Sequence, residues 1–169
     1  MKKQIKQILI LLGIVAVIIF SLVWFTNSKT GTPATIAGGE NGGELTFQES
    51  DYDFGNVSMA KGKVSKDFLL ENKSDKNVQI GEVFTSCMCT EAELRVGDKF
   101  AGPFGMQGHG GARKADLIVK PGEMLTVKAI FDPAAHGPAG VGPIERQIVV
   151  STGAGEDPIV LDFEAVVTP

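Results

Sequence analysis

Cysteine is scarce in this chain. Its two copies, Cys87 and Cys89, are too few for a disulfide framework, and they are separated by a single residue. Histidine is as rare, with only His109 and His136, and there is one tryptophan and one tyrosine. Basic residues number 16 against 20 acidic ones, a net charge of −4. An acidic surface excludes nucleic acid as a partner and disfavours an anionic lipid face. No Lys-Ser or Lys-Thr follows the glycine-rich run Gly108-His-Gly-Gly111, so it is not a phosphate loop. After Phe25 no stretch keeps a helical period. Ser86 adjoins Cys87 and Asp132 stands near His136, but neither spacing supplies an oriented base for hydrolysis.

What the chain does have is one long apolar run. Ile8–Phe25 holds 18 residues without a charge, enough at 1.5 Å per residue to span a hydrocarbon core of about 30 Å. Lys2, Lys3 and Lys6 precede it and Trp24 lies at its far end. A basic flank stays in the cytoplasm, so the rest of the chain is expected outside. The rival is a cleaved signal peptide, whose apolar core is shorter and is followed closely by small residues. Here Thr26-Asn-Ser-Lys-Thr-Gly31 follows, and no cysteine is placed for a lipid anchor. The organisation expected is a cytoplasmic stub over 1–7, a transmembrane helix over 8–25, a flexible linker over 26–43 and an extracytoplasmic domain over 44–169. Without the three leading lysines the charge of the exported part falls from −4 to −7.

From Glu44 onward the pattern is that of strands. Leu45–Phe47, Val64–Glu71, Val78–Phe84, Leu117–Val119, Leu125–Phe131, Ile148–Val150 and Ile159–Val167 are bounded by turn residues, and several alternate apolar with polar. Pro121-Gly122-Glu123 and Gly153–Pro158 are explicit turns. About seven strands in one domain-sized segment predict an all-β sandwich of immunoglobulin type.

Five short motifs sharpen this. Asp53-Phe54-Gly55, Glu71-Asn72-Lys73, Thr85-Ser-Cys-Met-Cys-Thr90, Val119-Lys-Pro-Gly-Glu123 and Phe131-Asp-Pro133 together resemble the bacterial domain of unknown function 1573. Met88 stands where that family usually has glycine. The resemblance runs over roughly 45–167 and implies an immunoglobulin-like fold rather than an activity. The segment Glu91–Lys114 reads as an insertion relative to the family's short form.

Strand order places the loops. If Val64–Glu71 and Val78–Phe84 form a hairpin, Cys87 and Cys89 lie at the opposite end from its turn. The loops 132–143 and 56–62 and the insertion 91–114 should meet them there. The linker should enter at the other end, so these loops point away from the membrane. Such loops on a rigid scaffold commonly carry binding residues. The candidate metal ligands are therefore Cys87, Cys89, Met106, His109 and His136, with Met59 close by. Thiolate, thioether and imidazole are the donors that soft ions such as Cu(I) prefer. The plainer alternatives are solvated loop histidines, methionines covering the end of the core, and a structural or free cysteine pair. A Cys87–Cys89 disulfide would be strained and therefore labile. The function expected is a non-enzymatic, membrane-anchored binding or structural module without a cofactor, facing a protein partner in the cell envelope. The alternative is copper binding or thiol-redox chemistry at the Cys-x-Cys loop.

Overall fold

Alternation dictates the layers. In a strand, successive side chains point to opposite faces, so a period of two in apolar residues commits one face to a core. A computed structural model describes residues 34–37, 43–109, 114–152 and 157–169. The expected stub and transmembrane helix, 1–7 and 8–25, lie outside the described residues, as does most of the expected linker. Among the described residues no helix is long and apolar enough to cross a membrane.

Among the described residues eleven strands form two sheets, where the sequence pattern leads us to expect about seven. They are β1 (Ala34–Ala37), β2 (Glu44–Phe47), β3 (Asp51–Ser58), β4 (Val64–Asn72), β5 (Val78–Thr85), β6 (Thr90–Val96), β7 (Lys99–Phe104), β8 (Lys114–Val119), β9 (Met124–Phe131), β10 (Gly142–Val150) and β11 (Ile159–Thr168). One sheet has the order β1-β2-β4-β9-β6-β7 and the other β3-β11-β10-β5-β8. The fold is all-β and sandwich-like. β1 falls within 26–43 and pairs antiparallel with β2. The supposed insertion loop is largely the hairpin β6–β7, which extends the first sheet beyond β9. Asn56–Ser58, expected in a loop, completes β3 beside β11, and the 3-10 turn Met59–Lys61 follows.

The core sits between the sheets. Leu125, Val127, Ala129 and Phe131 alternate inward on β9, and Ile159, Leu161, Phe163, Ala165 and Val167 do so on β11. Phe131 and Phe163 meet across the layers with ring centroids 5.6 Å apart. Each fully buried side chain of this size contributes about 1.5–3 kcal/mol.

Three of the five motifs explain themselves as joints. Asp53 Oδ1 accepts the Gly55 amide at 2.7 Å, and Gly55 takes φ +64°, a backbone turn that glycine enters without strain. Phe54 then packs edge-on against Phe163, centroids 5.4 Å apart. At one end of the sandwich, buried Asn72 donates to the Lys76 and Val119 carbonyls, each at 2.8 Å, and accepts from Ser74. Its own amide and carbonyl bond Glu123 and Gly122. The Glu-Asn-Lys and Lys-Pro-Gly-Glu motifs are thus one structural unit that ties two turns together. The Phe131-Asp-Pro133 motif belongs to the other end, with the cysteines.

Candidate thiol and imidazole site

The chain must cross from the second sheet to the first between β5 and β6, and Thr85–Thr90 is that crossing. Buried Thr85 donates its hydroxyl to the Cys87 and Thr90 carbonyls, both at 3.0 Å. The Thr90 amide returns to the Cys87 carbonyl at 3.1 Å and closes a tight turn. Ser86 exchanges two bonds with Gln147 of β10, amide to carbonyl at 3.0 Å and hydroxyl from amide at 2.9 Å. The threonine and serine of the motif are therefore fasteners that fix the two cysteines.

A second loop brings the histidine. After β9 the Asp132 amide donates to the Cys89 carbonyl at 2.9 Å. Asp132 Oδ1 accepts the Ala134 amide at 2.9 Å, and the turn carries the chain to His136. Gly137 follows at φ +56° and opens the 3-10 turn Gly137–Gly140. His136 lies against Gly140, where any side chain would press on the His136 Cβ at 3.1 Å and approach Met59 at 3.7 Å.

The result is a cluster. Cys87 Sγ lies 3.2 Å from His136 Nε2. Cys87 Sγ, Cys89 Sγ and a His136 ring nitrogen all fall within 4.8 Å of one another. Both cysteines are free thiols, Cys87 half-buried and Cys89 buried. The Cys89 amide donates to Cys87 Sγ at 3.4 Å. Arg146 on β10 points its Nε at Cys89 Sγ at 3.1 Å.

These neighbours set the charges. Burial works to raise the Cys87 thiol, but the Cys89 thiol and amide, His136 and Arg146 outweigh it and lower it from 9.0 to about 7. Burial raises the Cys89 thiol and Cys87 adds to that, so the contacts with Arg146 and Thr90 do not bring it down. For Arg146, the pull of the two thiols exceeds the effect of burial and raises its pKa. The pair thus loses its first proton mainly from Cys87 and holds the second on Cys89.

Of the five residues expected as ligands, Cys87, Cys89 and His136 come together. His109 is not in that trio. Met106 and His109 both line a neighbouring hollow of about 380 Å³ together with Met88, Thr90, Pro103 and Phe104. Met59 abuts the loop that carries His136. Sequence reading missed Arg146 and Met88. A signal for Arg146 existed: it shares the inward parity of Ile148 and Val150, where a charged residue needs a partner.

The comparisons with known proteins agree with the fold and stop there. The family model described as "Protein of unknown function (DUF1573)" matches residues 45–97. No curated protein matches the chain. Among solved structures, a protein of unknown function from Porphyromonas gingivalis W83 is similar over 82% of this chain, at 13% identity and a TM-score of 0.50. The match covers 50% of that chain, so this protein spans about half its length. The VesB protease of Vibrio cholerae is similar over 72% of this chain and 31% of its own, at 13% identity and a TM-score of 0.46. The CooA pilin subunit of enterotoxigenic Escherichia coli is similar over 72% and 92%, at 10% identity and a TM-score of 0.39.

Proposed function

We propose that this chain is a non-enzymatic, membrane-anchored module whose immunoglobulin-like domain lies outside the cytoplasm and binds Cu(I) through Cys87, Cys89 and His136. The observation that carries it is the convergence of two sulfurs and one imidazole nitrogen within 4.8 Å. Donors ~2.0–2.3 Å from one ion stand about 3.5–4 Å apart around it, so a small closure of this trio suffices. Charge favours Cu(I) over Zn(II). Two thiolates with Cu(I) carry one net negative charge, which Arg146 offsets through its bond to Cys89. With Zn(II) the same set is neutral, and the part-buried guanidinium is left without a counter-charge. The anchor reading rests on the 18 uncharged residues Ile8–Phe25 behind three lysines, and a cell-envelope protein would be the natural partner for exchange of the ion.

The test is competition for Cu(I) between full-length protein in detergent and a chromophoric chelator. Binding tighter than micromolar is expected, and Cys87→Ser with Cys89→Ser should weaken it at least a hundredfold. Unchanged affinity in that variant sinks the proposal.

One observation favours a second reading, thiol–disulfide exchange: an accessible Cys87 of lowered pKa sits beside a buried Cys89. Two reactive thiols in protein isolated without reductant would speak against a disulfide resting state. Failure of Cys89→Ser protein to form mixed disulfides would exclude the exchange.

A further inference from the structure

The hollow beside the dithiol has its own chemistry. Met88, 56% exposed, is the residue between the two cysteines and lines the hollow from one side. Met106 lines it too, and its backbone is fixed. Met106 bridges Thr85 in parallel, and the Thr85 amide donates to the Gly105 carbonyl at 3.1 Å. The His109 amide then donates back to the Met106 carbonyl at 3.2 Å, and both residues line the same hollow. His109 Nδ1 lies 3.5 Å from the Gln107 carbonyl oxygen.

Two thioethers and one imidazole are neutral and soft. Magnesium and calcium need oxygen donors, and zinc sites are built from thiolate, imidazole and carboxylate. The lone carboxylate on the hollow, Glu91, is paired with Lys63 at 3.2 Å. Soft thioethers select Cu(I). We infer that Met88, Met106 and His109 form a second site for a soft monovalent ion, Cu(I) or its redox-inert analogue Ag(I), next to the dithiol and independent of it. Lacking thiolates, it binds more weakly. It stands on other side chains than the Cys87–Cys89–His136 site, so either can fail alone.

The experiment uses full-length protein carrying Cys87→Ser and Cys89→Ser, with methionine methyls labelled with carbon-13, titrated with Ag(I) by NMR. Met88 and Met106 methyls should shift together and saturate at one ion. Met124, 45% exposed and remote in the fold, serves as the control for adventitious thioether binding. Adding His109→Ala should weaken binding at least fivefold with the methyl dispersion of the folded state retained. The inference is overturned if neither methyl shifts, if Met124 shifts in parallel with them, or if His109→Ala leaves the affinity unchanged. Loss of Cu(I) binding at the cysteines in otherwise wild-type protein would count against the proposed function only.

Discussion

The reactivity of Cys87 as pH changes follows from its surroundings. Its thiol is lowered from 9.0 to about 7, against the effect of its own burial, by Cys89, His136 and Arg146. At pH 7 about half of it is thiolate, against roughly one part in a hundred for a thiol left at 9.0, a gain of about fiftyfold. A less basic thiolate is a poorer nucleophile. With a Brønsted coefficient of about 0.45, two pK units cost about eightfold in intrinsic rate. The net expectation is alkylation about six times faster than an ordinary thiol at pH 7, and a plateau about eight times slower well above pH 9. The assay is stopped-flow alkylation of metal-free protein between pH 5 and 10, where buried Cys89 should appear as a separate, slower phase. His136→Ala removes one of the lowering contacts, so the midpoint should move upward. The reasoning is refuted if the fast phase has its midpoint near 9, or if His136→Ala leaves it in place.

The remaining expectations are these. At pH 7, Cu(I) uptake should release about 1.5 protons from the thiols, half of one from Cys87 and nearly one from Cys89, falling toward one as pH rises past 8; calorimetry in buffers of different ionisation enthalpy measures it. Arg146→Met should weaken Cu(I) binding by about 10–100-fold and raise both thiols, with chelator competition and the alkylation profile as the readouts. Asn72→Ala deletes two 2.8 Å bonds and leaves the Val119 carbonyl buried without its partner, a loss of about 2–4 kcal/mol by urea denaturation without change at the thiols. Gly102→Ala places a Cβ at φ +127°, 2.9 Å from the Ala92 carbonyl, and should cost about 1–3 kcal/mol in the same assay.

Strands with large apolar residues were legible. β4, β5, β9 and β11 show Phe, Leu, Ile and Val at alternate positions, and the reading matches them within a residue or two at each end. The hairpin β6–β7 was not, for a physical reason. The buried face of β6 is Thr90, Ala92, Leu94 and Val96, two of them too small or polar to stand out, and β7 buries only Phe104. β3 is an edge strand with one buried residue, Val57, and a sequence full of Asp, Gly and Asn. The meeting of Cys87 with His136 could be argued from strand order, because hairpins fix which loops share an end. The division of the five candidate ligands between two places could not. It depends on where the hairpin β6–β7 delivers Met106 and His109, which line the hollow beside Met88.

The two halves of the thiol site are far apart along the chain. Cys87 and His136 are separated by 49 residues, and Cys89 and Arg146 by 57. At a synthesis rate of ~5–20 residues per second, the cysteines exist for about 3–11 s before the arginine does. The β11 strand, which pairs with both β3 and β10, is made later still. During that interval the thiols have neither their guanidinium nor the sheet that shelters Cys89. Through that interval Cys89 is as open to solvent as Cys87, and the finished sandwich ends this for Cys89 alone, which it buries.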